Sequence, residues 1–219
     1  MFFLPLSVLF FLFLILLLPV LFFLIQIGAV GAAFSKLGMS PQVGFLVFSL
    51  SLLLSVVNIP LIEKEAPQLT TGLPEFMRYY FGLGSTITQR QVIAINVGGA
   101  IIPLLLVLYL LPRVPLGKTA LAVAISTIVC KFLARPVAGM GIALPAFIPP
   151  VVSALLAMML APKNPAPVAY ITGAVGTLVG ADLLNLSRIS QVGAGVVSIG
   201  GAGVFDGIYL AGIVAVLLS

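Results

Sequence analysis

Long apolar stretches separated by short polar segments run through the whole chain. An uninterrupted apolar stretch of about 18 or more residues is typical of a transmembrane helix, because about 20 residues are needed to cross the hydrocarbon layer. The pattern predicts an all-α fold, a polytopic transmembrane helix bundle of seven segments, or six if two short ones pair as a re-entrant unit. The predicted segments lie near residues 4–33, 42–62, 91–112, 119–134, 144–162, 167–187 and 197–218.

Four of these stretches contain Pro or Gly where a helix would otherwise continue. The interruptions are VNIPL at 57–61, NVGGAIIPLL at 96–105, GMGIALPAFIPP at 139–150 and SIGGAGVFDG at 198–207. Broken backbone at membrane depth is tolerated only where it is buried in protein or lines a wet cavity. We therefore expect the interruptions to face inward, and the pattern leaves open whether 135–150 crosses the membrane or folds back.

The composition makes the lipid bilayer the main partner of the chain. Of the 219 residues, 62% are hydrophobic and 7% are charged, so a water-soluble core would not absorb the apolar surface. We expect a single transmembrane domain over 1–219, multi-pass in the cell membrane, with residues 63–90 as an extramembrane loop. This loop contains every Glu and the amphipathic stretch EFMRYYFGL, which suits the headgroup region.

Charge and residue types narrow the chemistry further. The ten Lys and Arg are scattered singly, which argues against a nucleic-acid partner. With no His and one Cys, the chain lacks the residues for Ser-His or Cys-His catalysis and for a zinc site. We expect neither a metal nor another cofactor, and the sequence leaves homo-oligomerisation open.

The only two aspartates, Asp182 and Asp206, fall inside the last two predicted segments. A charged carboxylate near the middle of a bilayer costs at least about 2.5–3.5 kcal/mol, so such residues face the protein interior or water and mark functional sites. In an antiparallel helix pair the two depths would differ by only about 6–8 Å, at 1.5 Å per residue. Residues 180–210 are therefore the predicted site region.

The residues around Asp182 divide its helix into two faces. Gly173, Gly176 and Gly180 recur at spacings of three and four, and such a stripe favours close helix packing. Asp182 lies roughly opposite the stripe, with Asn185 on its own side. One face is predicted to pack, and the other to present an acid and an amide.

The residues around Asp206 predict a different setting. Gly200, Gly201 and Gly203 are expected to loosen or break the helix before Asp206, so that the acid lies in the first turn of a half-helix. Free backbone N–H groups there would stabilise its anion. Tyr209, three residues on, would share its face and bind a carboxylate or substrate.

Two asparagines lie beside predicted helix breaks in neighbouring segments. Asn58 precedes Pro60, and Asn96 precedes Pro103. The similarity is of the kind left by the internal repeats of transporters, and chance explains it equally well. In a transport protein these amides would join the two acids in a midplane site.

Three functional hypotheses follow from the paired acids. The first is an intramembrane aspartyl protease-like hydrolase in which Asp206 is the anionic base, Asp182 is the neutral acid, and a transmembrane peptide is the substrate. The alternative is a cation- or proton-coupled transporter using both acids with Asn58 and Asn96, for which a small cation is the substrate. The third is a structural membrane subunit whose buried polar groups lock helices together.

The string Gly201-Ala202-Gly203-Val204-Phe205-Asp206 resembles the Gly-x-Gly-Asp motif of presenilin-like and prepilin-type intramembrane proteases. It has two extra residues between the second glycine and the acid. The first acid, in Gly180-Ala181-Asp182, lacks the Tyr-Asp pair of the presenilin group. The resemblance implies an aspartyl protease dyad, and it covers only a few residues.

A resemblance over most of the chain after the first helix is to a family of bacterial and archaeal membrane proteins catalogued as domain of unknown function 1614. The strings that carry it are VNIP at 57–60, INVGGAIIP at 95–103, GADLLNL at 180–186 and SIGGAGVFDGIYLAGIVAVLL at 198–218. The resemblance implies a shared membrane fold and no particular activity.

Overall fold

A computed structural model describes residues 26–65, 90–137, 141–192, 195–201 and 207–219, together with Ile15. The described chain is mostly helical. The helices are α1 (Gln26–Lys36), α2 (Pro41–Leu54), α3 (Ile102–Leu110), α4 (Leu116–Leu133), α5 (Ile148–Leu160), α6 (Pro165–Thr177) and α7 (Gly207–Leu218). Most of the first predicted segment, and residues 66–89 of the predicted loop, lie outside the described residues.

Two helical runs in the described chain are long and apolar enough to cross a membrane. They are α4 and the continuous run Pro165–Arg188, which begins with α6. Helices α1 and α2 meet at 115° and would add a third crossing if they form one bent span. The prediction of a mostly helical protein with membrane-length apolar helices is confirmed, whereas six or seven crossings remain a prediction.

A three-stranded sheet replaces helix in parts of the predicted segments, so the all-α prediction is wrong there. Strand β1 (Asn58–Glu65) pairs antiparallel with β2 (Arg90–Asn96), and β5 (Gly195–Ile199) pairs parallel with β2. Pro60 has no backbone N–H and disrupts a helix. The Val and Ile residues of β2 and β5 favour extended backbone, where branched side chains pack well. The predicted segments at 42–62, 91–112 and 197–218 are therefore each part helix and part strand.

The segment that the sequence left undecided turns back on itself before α5. Strands β3 (Arg135–Val137) and β4 (Gly141–Ala143) pair antiparallel, with Arg135 opposite Ala143. Helix α5 then begins at Ile148 with prolines in its first turn, where the missing N–H groups cost no helical hydrogen bond.

Helix α6 lies at the centre and packs against α4, α5 and α7. Its glycines allow the close approach that their spacing predicts. A Cβ on Gly173 would lie 2.9 Å from the carbonyl oxygen of Ala211 in α7, and one on Gly176 would lie 2.5 Å from the Ser126 hydroxyl oxygen in α4. The predicted packing is confirmed, and the stripe packs against two neighbouring helices, α4 and α7.

Candidate functional site

Asp182 ends a wide helical turn within the run Pro165–Arg188. The α-helix ends at Thr177, a π-helical turn follows over Leu178–Asp182, and a 3-10 helix continues over Leu183–Val192. Single π turns inside helices are rare overall, and those that occur are often found at functional sites. The side chain of Asp182 is partly buried, and its Oδ2 accepts a hydrogen bond from the backbone N–H of Gly200 at 2.8 Å.

The donor to Asp182 belongs to a tight glycine turn at the end of β5. Gly200 has φ +85° and Gly201 has φ +144°, in the region that favours glycine. The Gly201 N–H donates to the Ser198 carbonyl at 3.3 Å, and a Cβ on Gly200 would lie 2.5 Å from that of Ala100. The turn is therefore held between Asp182 and another π turn in the described chain, Val97–Ile101.

Asn58 and Asn96, predicted as ion ligands, lie opposite each other at one end of the β1–β2 ladder. The Asn96 amide nitrogen donates to the Asn58 side-chain oxygen at 3.0 Å and to the Ser55 carbonyl at 2.6 Å. The Asn96 side-chain oxygen accepts from the Gly99 N–H at 2.7 Å, which caps the π turn. The Ser198 hydroxyl also donates to the Asn58 side-chain oxygen. These groups form an amide cluster in which the side-chain oxygens of both asparagines accept hydrogen bonds.

Two further predicted residues have other neighbours. The Asn185 amide donates to the carbonyls of Gly180 and Ala181 at 2.9 and 3.0 Å, so it closes the π turn of its own helix. Tyr209 is fully buried, and its ring centroid lies 5.9 Å from that of Phe48 in α2. Both side chains are buried.

Asp206 and Gly203 lie outside the described residues, so their predicted roles remain predictions. The helical part of the final segment is described from Gly207 onward, the residue after Asp206. Between β5 and α7 the described backbone is the turn at Gly200 and Gly201, and it follows a strand where the sequence predicts a helix.

The sequence predicted Gly200 only as a helix breaker, and Ser198 was missed. Their roles depend on the parallel pairing of β5 with β2, in which Ser198 is opposite Ala94. Strands 100 residues apart give no local signal for such a pairing. The adjacent glycines of the interruption at 198–207 were the available clue to a tight turn.

The described geometry defines a class: a mostly helical protein with membrane-length helices and a carboxyl group at the interruption of its central helix. The chain belongs to the family described as "Protein of unknown function (DUF1614)", whose profile matches residues 52–218. The predicted family resemblance is confirmed over a range that includes both aspartates, Asn58 and Asn96. No curated protein and no solved structure matches the chain.

Proposed function

We propose that the protein carries protons across the membrane, alone or coupled to a solute, and that Asp182 is its proton-binding group. The observation that carries the proposal is the carboxyl group of Asp182 on the π turn of the central helix, hydrogen-bonded to the Gly200 turn. Carboxyl groups inside membrane segments form proton relays in pumps and transporters. Interrupted helices supply their binding sites.

The hydrogen bonds of the amide cluster favour a proton over a metal cation as the transported ion. A hard cation such as Ca²⁺ takes six or more oxygen ligands. The side-chain oxygens of Asn58 and Asn96 already accept hydrogen bonds inside the cluster. Asp182, by contrast, accepts one recorded hydrogen bond from the described residues. A single carboxylate with free lone pairs is enough to take up a proton.

The contact with Gly200 gives proton binding a structural consequence. A backbone N–H group stabilises a carboxylate more strongly than a neutral acid, because hydrogen bonds to an ionised acceptor are stronger. Protonation of Asp182 therefore weakens its hold on the Gly200 turn. That turn connects β5 to the segment leading to α7, so the charge of Asp182 is coupled to the position of two elements.

Proton flux into proteoliposomes tests the proposal. Wild type, Asp182→Asn and Glu63→Gln are reconstituted at equal density with a pH-sensitive dye inside, and a potential is imposed with potassium and valinomycin. We expect wild-type flux above that of empty liposomes, loss of at least tenfold in Asp182→Asn, and no change in Glu63→Gln, which removes an acid from β1 instead. Flux that survives Asp182→Asn, or no wild-type flux under any solute gradient, would overturn it.

The second candidate is an intramembrane aspartyl hydrolase formed with Asp206. It is supported by the Gly200 contact, because Asp182 binds the start of the segment that carries Asp206 six residues later. The test is cleavage of a transmembrane peptide followed by mass spectrometry. Cleavage that is lost in both Asp182→Asn and Asp206→Asn, without proton flux in the wild type, would replace transport by hydrolysis.

The same proposal includes a multi-pass location in the cell membrane, supported by the membrane-length helices. Homo-oligomerisation is a further possibility for a chain of this size. Cross-linking in membranes checks it, with a single monomer band as the outcome that excludes it.

A further inference from the structure

Charge is distributed unequally along the chain. The five acidic residues occur at 63–75, 182 and 206. The three connections from α1 to α2, from α3 to α4 and from α5 to α6 contain no acid. Cations lie at the last residue of α1, within the other two connections and in the first turn of α4. The four cations are Lys36, Arg113, Lys118 and Lys163, and we call this group the cationic end.

The three connections meet in space. The Arg113 Nη1 lies 3.7 Å from the position that a Cβ on Gly38 would occupy, and the Asn164 amide donates to the Arg113 carbonyl at 2.9 Å. Lys163 directly precedes Asn164, and Lys118 lies in the first turn of the helix that follows Arg113. All four cationic side chains are exposed. The result is one solvent-facing region with four positive charges.

Arg113 is held in a fixed orientation at the cationic end. Its guanidinium carbon lies 4.2 Å from the centroid of the Tyr109 ring, and its Nη2 donates to the Tyr109 hydroxyl. A planar guanidinium is suited to two oxygens of a phosphate. Tyrosine is enriched where membrane meets water. The stacked and exposed guanidinium of Arg113 is therefore oriented to bind a phosphate at the membrane–water interface.

Lys36 contributes mainly charge. Its ammonium donates to the carbonyls of Val216, Leu217 and Ser219, at 3.2, 3.1 and 3.2 Å, so its donors are used at the C-terminal end of α7. Arg113, Lys118 and Lys163 are left to supply hydrogen bonds to a ligand.

Exposed apolar side chains adjoin the cations along α3 and α4. Leu108 and Leu116 are each 61% exposed, and Leu121 is 52% exposed. Beside membrane-length helices, this surface suits acyl chains. We infer that the cationic end binds the phosphate headgroups of anionic phospholipids. The inference is independent of the role of Asp182.

Binding of short-chain phosphatidylglycerol and phosphatidylcholine to the detergent-solubilised protein tests the inference. The variant R113Q/K118Q/K163Q is compared with K131Q/R135Q/R188Q, which removes three exposed cations from other parts of the chain. We expect wild type to prefer phosphatidylglycerol. The first variant should lose roughly 100-fold in affinity, since each cation near an anionic surface contributes about a factor of five, and the control should lose less than threefold.

Folding and ligand source are checked in the same experiment. If R113Q/K118Q/K163Q fails to fold, K118Q/K163Q replaces it, with an expected loss of roughly tenfold or more. Inorganic phosphate should displace the lipid poorly, because it lacks acyl chains. Equal affinity for both lipids, an equal loss in the control variant, or displacement by millimolar phosphate would each overturn the inference.

Discussion

The two π turns in the described part of the chain have similar packing but end in different side-chain environments. Each contains a glycine against which another helix packs: Gly98 lies against α2, and Gly180 lies against α4. The first turn, Val97–Ile101, is capped by Asn96, whose amide is satisfied on both sides. The second, Leu178–Asp182, ends in a carboxyl group with one recorded hydrogen bond from the described residues.

The difference separates a structural role from a chemical one. A saturated polar cluster holds elements in register and has little left to offer a ligand, whereas a partly satisfied carboxyl group can still exchange a proton. The comparison therefore predicts that changes at the first turn alter stability, and that a change of Asp182 alters function. The predictions below concern the free energy of unfolding in detergent micelles, from the largest effect to the smallest.

Adding a methyl group at either glycine should be the most damaging change. In Gly98→Ala the new carbon meets the backbone of Ser51 and Ser55, and in Gly180→Ala it meets the backbone of Thr127. Because backbone yields little, we expect about 3 kcal/mol of destabilisation in each case. Thermal unfolding and SDS titration measure it.

Gly117→Ala is the matched control, because nothing lies within 4 Å of a Cβ at this helical position. It should be neutral or more stable by up to about 1 kcal/mol, since alanine favours helix. If Gly98→Ala unfolds at the same temperature as the wild type, the first turn is not tightly packed.

Removing the amide of the first turn should come next. Asn96→Ala leaves the Gly99 N–H, the Ser55 carbonyl and the Asn58 side chain without this partner, in a buried position. We expect a loss of about 2–3 kcal/mol. Asn58→Ala should cost less, because Asn58 is partly exposed and water can replace it. The reverse order would contradict the central position given to Asn96.

Gly200 joins the two π turns, and Gly200→Ala should cost about 2 kcal/mol through positive φ and contact with Ala100. Gly38→Ala is the control, because Gly38 has φ +75° with its nearest contact at 3.7 Å. Gly38→Ala should lower the free energy of unfolding by about 1 kcal/mol, from backbone strain alone. Equal losses in the two variants would mean that the packing of Gly200 on the first turn contributes nothing.

The sequence predicted the helices better than the sheet, and the reason is physical. Helices α4 and α6 have long apolar stretches, and the spacing of Gly173, Gly176 and Gly180 is local information. The runs RQVIAIN and GVVSI are short, and periodicity does not distinguish a short buried strand from part of a helix. The local signal at Asn58 and Asn96 is a proline nearby in the sequence. Their contact arises from strand register, which depends on pairing between distant segments.

Asp182→Asn should affect stability less than the substitutions at Gly98, Gly180, Asn96 and Gly200, although it should abolish proton flux. The asparagine side-chain oxygen can still accept the hydrogen bond from the Gly200 N–H, and the volume of the side chain is nearly unchanged. We therefore expect a change below about 0.5 kcal/mol, because only the charge on the acceptor is lost. A loss as large as that of Asn96→Ala would mean that Asp182 acts as a structural clamp like the amide at the first turn. If Asp182→Asn keeps its stability and loses proton flux, the second turn has a chemical role and the first a structural one. The reason is that asparagine differs from aspartate mainly in being unable to take up a proton.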